Sequence, residues 1–416
     1  HPKMMLKMIN PRRIKNAILV LKREGAVSAT NHMKLVEEFE RSNENPVELL
    51  HLATETEERK NIVEYPQLVF PEYDHPQVSI VIPVYNQFDY TYHCLESILN
   101  YSGDCIYEVI VANDNSNDLT TQIHEAIHGI HVVTNEENKR FLLNCNNAAK
   151  YAQGQYILFL NNDTQVQENW LQPLIDVMEH DDSVGMVGSK LVYADGFLQE
   201  AGGILWKDAS AWNYGNRQNP NDSEFNYVHE ADYISGAAIM IRTDLWKKIG
   251  GFDERYVPAY CEDSDLAFEV RKHGYKVMYQ PLSVVVHFEG ISNGTDLSSG
   301  QKKYQVENQK KFYEKWKDEL NAEHFENGTD VLLARDRSAN KKHILVIDHY
   351  VPQYDKDAGS KTTFMYLKMF VKKGYQVTFL GDNFYQHEPY TTELQQLGIC
   401  VLYGQKYAQN WKIWLE

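Results

Sequence analysis

The sequence predicts an α/β protein whose central sheet is mostly parallel and carries helices on both faces. Short apolar runs at Val78-Ser-Ile-Val-Ile-Pro-Val84, Tyr107-Glu-Val-Ile-Val-Ala112, Ile130-His-Val-Val133 and Tyr156-Ile-Leu-Phe-Leu160 are separated by helix-like stretches around 89–100, 119–128 and 144–152. That alternation is the pattern of successive β-α-β units. The runs are nearly continuous rather than alternating, as in strands covered on both faces. Polar clusters follow the first, second and fourth runs, and the carboxyl ends of such strands are where open α/β sheets place ligands.

Before the sheet, residues 1–75 read as a helical and then irregular segment that passes through the charged Glu55-Thr-Glu-Glu-Arg-Lys60 and the proline-spaced Tyr65-Pro-Gln-Leu-Val-Phe-Pro71. The main domain is expected over 76–325. Its second half is mixed, with strands near Gly185–Val192 and Ile234–Ile241 and a polar, lysine-rich helix over Gln301–Leu320. A second β-α-β start follows in 341–416: His343-Ile-Leu-Val-Ile-Asp348 as a strand, Lys361–Lys373 as a helix stopped at Gly374, then Gln376-Val-Thr-Phe-Leu380 and a further helix and strand up to Tyr403. That stretch is too short for a full nucleotide-binding domain with its own core, so a partial Rossmann-like unit is expected.

With 416 residues, 43% hydrophobic and 12% aromatic, the chain is globular and long enough for roughly two or three domains. No apolar run is long enough to span a bilayer. A formal charge of -17 argues against nucleic acid as a partner. One basic patch stands apart: Lys3, Lys7, Arg12, Arg13, Lys15, Lys22 and Arg23 occur with no acid, around Ile14, Ala17, Ile18 and Leu21 at helical spacing. Such a helix either lies on an anionic membrane surface or packs on its own domain with a solvated basic face. Cys94, Cys105, Cys145, Cys261 and Cys400 are odd in number and scattered, which points to a reducing compartment, and the stretch before Pro11 has too short an apolar run for a secretory leader. The expected location is therefore the cytoplasm, with the basic segment as a means of contact with the inner face of the plasma membrane.

Five clusters have chemistry in them, each with a plainer explanation alongside. Pro83-Val-Tyr-Asn86 and Asn113-Asp-Asn-Ser116 end the first two strands, and Asp114 has the carboxylate to accept the imide N–H of uracil or thymine, although turn chemistry explains the same residues. Asn161-Asn-Asp163 ends the fourth strand as either a ligand site or a turn and helix cap. Cys261-Glu-Asp-Ser-Asp265 opens an amphipathic helix with three acids in four residues; the helix dipole and capping account for one or two, and crowded carboxylates repel and gain proton affinity, as a general base requires. His287 ends the apolar Val284-Val-Val-His287, where it serves a metal or phosphate or is a satisfied structural residue.

In their order along the chain, Asp114, Asn161-Asn-Asp163, Gly250-Gly-Phe-Asp-Glu254, Glu262-Asp263 and His287 resemble the inverting family 2 glycosyltransferases of the GT-A fold. Val78–Asn86, Asn138-Lys-Arg-Phe141 with Asn147, Gly154–Leu160 and Ser235-Gly-Ala-Ala-Ile-Met-Ile-Arg242 fit the same resemblance, which covers about 78–320. Gln199-Glu-Ala-Gly-Gly203 and the Asn-Asn-Asp variant look most like the rhamnosyltransferases of bacterial surface polysaccharides, while 341–416, with Asp348-His-Tyr-Val-Pro352 and Asp357-Ala-Gly-Ser360, looks like the first half of a GT-B (family 4) amino-terminal domain.

The resemblance implies transfer of a sugar, L-rhamnose from dTDP-rhamnose in the first instance, from a nucleoside diphosphate to a hydroxyl of a growing, lipid-linked glycan. It implies Asp263 as general base. It puts Pro83, Tyr85, Asn86, Asp114, Asn138, Asn147, Asn162 and Asp163 on the donor, a dTDP- or UDP-sugar, and Asp163 with His287 on Mn²⁺ or Mg²⁺, cations suited to a mixed oxygen and imidazole set. Gly236, Glu262, Trp206 and Trp212 are expected at the acceptor, with Tyr214 a further stacking candidate and at least one of the three aromatic residues in the core instead. The alternatives are a UDP-hexose-dependent transferase of the same fold and a degenerate transferase kept as a binding or assembly module, since two amides stand where many relatives have acids.

Overall fold

The four apolar runs form four parallel strands: β1 (Val78–Val84), β2 (Tyr107–Asn113), β3 (His131–Thr134) and β4 (Tyr156–Leu160). They belong to a computed structural model that describes residues 52–53, 59–288 and 303–415. The basic segment 1–23 and the helical reading of 1–51 lie outside the described residues. The short strand Leu68–Val69 pairs in parallel with Ile127–His128, so the approach segment closes a two-stranded edge beside the main sheet.

Every residue of β1 and β4 is buried, and period-two geometry divides their side chains between two cores. Val81, Ile157 and Phe159 face one layer, with Leu142, Trp246, Leu266 and Trp316 from the helices above them. Ile80, Ile82, Leu158 and Leu160 face the other, with Leu95, Ile98, Leu174 and Met178. The first layer holds α2 (Arg140–Ala148), α4 (Thr243–Ile249), α5 (Glu262–Lys272) and α6 (Lys303–Glu323), and the second holds α1 (Phe88–Tyr101) and α3 (Gln172–His180).

The sheet continues through β5 (Thr164–Val166), β6 (Val184–Val192), β7 (Leu198–Glu200), β10 (His229–Glu230), β11 (Ala238–Arg242) and β12 (Lys276–His287). Its order is β10-β12-β6-β11-β4-β1-β2-β3, with β5 on β12 and β7 on β6. β11 runs antiparallel to both β4 and β6, whereas β6 and β12 are parallel, so the sheet is mixed but mostly parallel. A small hairpin of β8 (Gly203–Leu205) and β9 (Ala211–Asn213) stands beside it.

Three expected elements differ. The stretch expected as a helix over 119–128 is a 3₁₀ turn, Leu119–Glu125, because the Asp118 carboxylate caps Thr120 N–H at 3.0 Å and Phe88 N–H, at the start of α1, at 3.0 Å. The strand expected from Ile234 begins at Ala238, since the amides of Ser235 and Gly236 bond carboxylates instead of a neighbouring strand. Helix α6, read as polar, buries Phe312, Trp316 and Leu320 at four-residue spacing.

Past α6 the chain builds a separate three-stranded parallel sheet, His343–Asp348, Gln376–Gly381 and Cys400–Leu402. Helix Ala358–Lys372 is capped by Asp357, whose carboxylate accepts Ser360 N–H at 2.7 Å, and is stopped before Gly374 at φ +78°.

Gly154 turns the chain into β4 against β1: its N–H donates to Ser79 Oγ at 2.8 Å, and a Cβ there would lie 2.6 Å from the Ser79 amide nitrogen. Gly154→Ala is expected to cost about 1–3 kcal/mol of stability, because backbone rather than a mobile side chain must give way. Urea denaturation checks this, and an unchanged midpoint would mean that the β1–β4 ends relax freely.

Candidate active site

Along the carboxyl ends of β1 to β3, amides and one carboxylate interlock. Asp114 accepts from Asn135 Nδ2 at 2.8 Å and the Lys139 N–H at 2.7 Å through Oδ1, and from the Arg140 N–H at 2.8 Å through Oδ2. Asn135 in turn donates to Asn144 Oδ1 at 2.8 Å and accepts from Asn147 Nδ2 at 2.9 Å. Asn138 turns the same loop by accepting the Arg140 N–H at 3.1 Å, and Asn86 Oδ1 accepts the Asn117 N–H at 2.8 Å. Asn86, Gln87, Asn115 and Arg140 all have positive φ, and such strained non-glycine conformations gather where a binding loop is over-determined by its surroundings. Asp114 therefore has a structural duty that the sequence did not show: three of its roughly four lone-pair positions bind the 135–140 loop to β2. Pro83 is buried beneath this edge, while Tyr85 is 48% exposed above it.

Beyond β4 the polar run divides. Asn161 lines a cavity described below, whereas Asn162, expected on the donor, is buried and donates to Thr91 Oγ1 of α1 at 3.0 Å. Asp163 Oδ1 lies 3.4 Å from His287 Nε2, a pairing set by the register of β5 on β12 that puts Thr164 opposite His287. Gln199 Oε1 stands 3.1 Å from His287 Nδ1. With Nδ1–H donating to Gln199, Nε2 keeps a lone pair directed at Asp163, the arrangement in which imidazole serves as a metal ligand. One carboxylate and one imidazole fit a divalent cation incompletely, and no group of three or more His, Cys, Asp or Glu side chains is disposed to hold one among the described residues. The diphosphate of a bound nucleotide has the charged oxygens to complete the set.

At Asn161 opens a cavity of ≈ 320 Å³, lined also by Phe141, Glu200, Tyr233, Gly236, Glu262 and Asp263 among others. Such a volume lies at the lower end of the roughly 300–1,000 Å³ of small-molecule sites. Asp263 Oδ2 accepts the Gly236 N–H at 3.1 Å, and Oδ1 accepts the Ser264 N–H at 2.6 Å. Burial pushes the Asp263 and Glu262 carboxyls up, and Glu262 is pushed further by the charge of Asp263. Glu200 is pushed up to about 8, first by burial and then by Asp263, against the restraining Ser235 N–H at 3.0 Å. Tyr260 and Cys261, at φ +77° and +72°, deliver the chain into α5. That strain is held by Asn308 of α6, whose Nδ2 donates to the carbonyls of Tyr256 and Ala259 at 2.7 and 2.8 Å. Trp206 is fully buried, so its ring belongs to the core and not to an acceptor surface, and Tyr214 is buried as well. Trp212 is 43% exposed, stacked edge-on against Trp206, and its neighbours Ala211 and Asn213 line the cavity.

Residues 79–248 match the model of Glycosyl transferase family 2. These residues resemble a family 2 domain, over less than half of the chain. With the mixed, mostly parallel sheet, this is the GT-A fold. The O-antigen biosynthesis protein RfbC of Myxococcus xanthus is 26% identical over 239 residues, 55% of this chain and 18% of its own length. The N-acetylglucosaminyl-diphospho-decaprenol L-rhamnosyltransferase of Mycobacterium tuberculosis is 37% identical over 67 residues, 16% of this chain and 22% of its own. Among solved structures, GalNAc-T7 with UDP, GalNAc and Mn²⁺ superposes with a TM-score of 0.47 at 17% identity, covering 60% of this chain and 50% of that one. The chain thus spans about half or less of the length of these proteins. No described helix is long and apolar enough to cross a membrane, and all five cysteines are free.

The site contains residues that sequence reasoning missed. Glu200, Gln199 and Ser235 lay inside quoted segments, but only as marks of likeness; Asn135 and Asn308 carried no signal, because an asparagine in a loop or a polar helix is unremarkable until its partners are known.

The raised Glu200 carboxyl makes stability depend on pH. The folded protein keeps that proton to about 8 while the unfolded chain loses it near the ordinary glutamate value, so unfolding releases a proton between the two and stability falls as pH rises through that window. Glu200→Gln is expected to flatten this fall, raising stability at pH 8 relative to wild type by more than about 1 kcal/mol. Denaturant titrations of both proteins at pH 5 and pH 8 check it; parallel changes in the two would show that Glu200 ionises normally.

Proposed function

We propose that the family 2 domain transfers a sugar from a nucleoside diphosphate to an acceptor hydroxyl with inversion at the anomeric carbon. The observation that carries this reading is Asp263: a half-buried carboxylate fixed by the Gly236 and Ser264 amides at the wall of a sugar-sized cavity that Asn161, two residues before Asp163, also lines. The Gly236 bond leaves Oδ2 with a lone pair for the proton of the attacking hydroxyl, and the raised proton affinity suits a general base. Pro83, Tyr85, Asn86, Asp114, Asn138 and Asn147 would receive the nucleoside. Asp163 and His287 would hold Mn²⁺ or Mg²⁺, which supplies positive charge against the departing diphosphate. The acceptor enters from the Trp212 side, between Gly236 and Glu262.

The donor we propose first is dTDP-L-rhamnose and the acceptor a lipid-linked bacterial surface glycan, supported by the Gln199–Gly203 segment and by the similarity to the O-antigen biosynthesis protein and the rhamnosyltransferase. We propose further that 341–416, a three-stranded sheet in the described residues, has no transferase activity of its own.

A screen of dTDP- and UDP-sugars for nucleoside diphosphate release tests the reading, with dTDP-rhamnose expected as the best donor. A UDP-hexose as best donor would replace the sugar but keep the reaction; no release from any donor would favour a binding module. Asp263→Asn is expected to lower transfer by about 10²–10⁴ with donor affinity nearly unchanged, since it removes the proton acceptor. Transfer at the wild-type rate would move the role to Glu262.

Metal affinity is expected to be much higher with dTDP than without it, because a single carboxylate is the protein's charged contribution. Asp163→Asn is expected to eliminate metal-dependent transfer. Titration of Mn²⁺ with and without nucleotide checks this; equal affinities, or full activity in chelator, would make Asn161-Asn-Asp163 a turn.

A further inference from the structure

Glu200 has no part in the chemistry above, yet it lines the same cavity as Asp263. It ends β7, three residues that are all buried, and is 1% exposed. Oε1 accepts the Ser235 N–H at 3.0 Å, and Oε2 is buried with no hydrogen-bond partner among the described residues. An unpartnered carboxyl oxygen in a buried position is costly unless a ligand satisfies it. The amide next along the chain, Gly236, holds Asp263 in the same way at 3.1 Å. Two successive amides therefore each hold one carboxyl of the cavity lining.

We propose that Glu200 is an acceptor-specificity residue that bonds the hydroxyl adjacent to the attacking one, so that the site selects acceptors presenting a vicinal diol on a pyranose ring. The proposal rests on the transferase reading of this cavity. In this assignment Asp263 takes the hydroxyl that loses its proton, and Glu200 Oε2 takes its neighbour. A hydroxyl both donates and accepts, so it satisfies Oε2 whether or not that carboxyl carries its proton. A cation is the poorer occupant, since no group of three or more ligating side chains is disposed to hold one among the described residues. Glu262 Oε2, also buried and without a partner there, is a further acceptor in the lining for a polyhydroxylated ring.

The test uses the full chain saturated with UDP or dTDP. Ligand-observed NMR compares methyl glucopyranoside, galactopyranoside and mannopyranoside with their monodeoxy counterparts. Wild type is expected to prefer at least one diol pyranoside over its deoxy counterpart by about tenfold to a hundredfold, the range of a hydrogen bond to a buried carboxyl. Glu200→Ala and the shape-preserving Glu200→Met are expected to reduce that preference to about twofold or less, while Glu200→Gln, which still accepts from Ser235 and donates to a hydroxyl, keeps most of it. Nucleotide affinity and melting temperature measured alongside report the fold. Wild type that binds none of the pyranosides, or binds diol and deoxy forms equally, overturns the proposal without recourse to any variant, as does a preference that survives in Glu200→Met. Failure of the parent reading looks different: wild type then releases no nucleoside diphosphate from any nucleotide sugar, whatever its pyranoside preference.

Discussion

The register of β11 against β4 is the constraint on which the site depends. Ala238 faces Leu160 across an antiparallel pair, and the Asn161 N–H extends the ladder to Ala237 O at 3.0 Å. Everything polar lies just past that point: Asn161 to Asp163 on one chain, Ser235 and Gly236 on the other. A slip of one residue would reverse every side chain of β11 between the two cores and remove the Gly236 amide from Asp263. The apolar residues Ile157 to Leu160 and Ala238 to Ile241, buried on both faces, forbid the slip. Core packing therefore fixes the position of a carboxylate that lies outside the core.

Holding those carboxylates needs more than position. Three carboxyls, Glu200, Glu262 and Asp263, line one poorly solvated cavity, where like charges interact strongly. Backbone N–H groups and the first turn of α5 stabilise the anion at Asp263, and burial together with its charge keeps a proton on Glu200 through the neutral range. One anion among neutral neighbours is an arrangement the cavity can sustain; three anions are not. The entry to α5 is strained at Tyr260 and Cys261, and α6 opposes that strain through Asn308 and through Lys315, which bonds Asp265, Asp253 and Glu269 at 2.8–3.1 Å.

Much of this was legible in the sequence because strands buried on both faces have few alternatives. Nearly continuous apolar runs such as Val78–Val84 located the central strands, and the polar residues after them lie at the carboxyl edge of the sheet. The clusters were less legible one by one, since turn, cap and ligand chemistry draw on the same residues; Asn162 is buried against α1 and Asn161 faces the cavity, a distinction that depends on which way the chain turns after Leu160. Trp206 and Trp212 illustrate the same limit. Six residues apart and identical in type, they differ because the β8–β9 hairpin folds one indole inward and leaves the other at the rim. Glu200 was illegible for a further reason: its meaning comes from an amide 35 residues later, and no local pattern encodes that meeting.

The segment joining the main sheet to the last sheet follows the same logic of long-range partners. Arg335, Asp336 and Ser338 are buried, with Arg335 donating to Tyr214 Oη at 2.9 Å and Tyr227 Oη donating to Asp336 at 2.8 Å. Across the same seam Gln280 of β12 and Gln396 exchange amide hydrogen bonds at 2.8 and 3.1 Å, and Lys406 pairs with Asp222 and Glu224. Buried polar pairs contribute little net stability when complete but cost several kcal/mol, about 3–5 for an ion pair, when one partner is removed. A seam of this kind fixes orientation more than it adds affinity. The three-stranded sheet has a small core of its own, so its order depends on staying docked, and the polar seam determines the one way in which it docks.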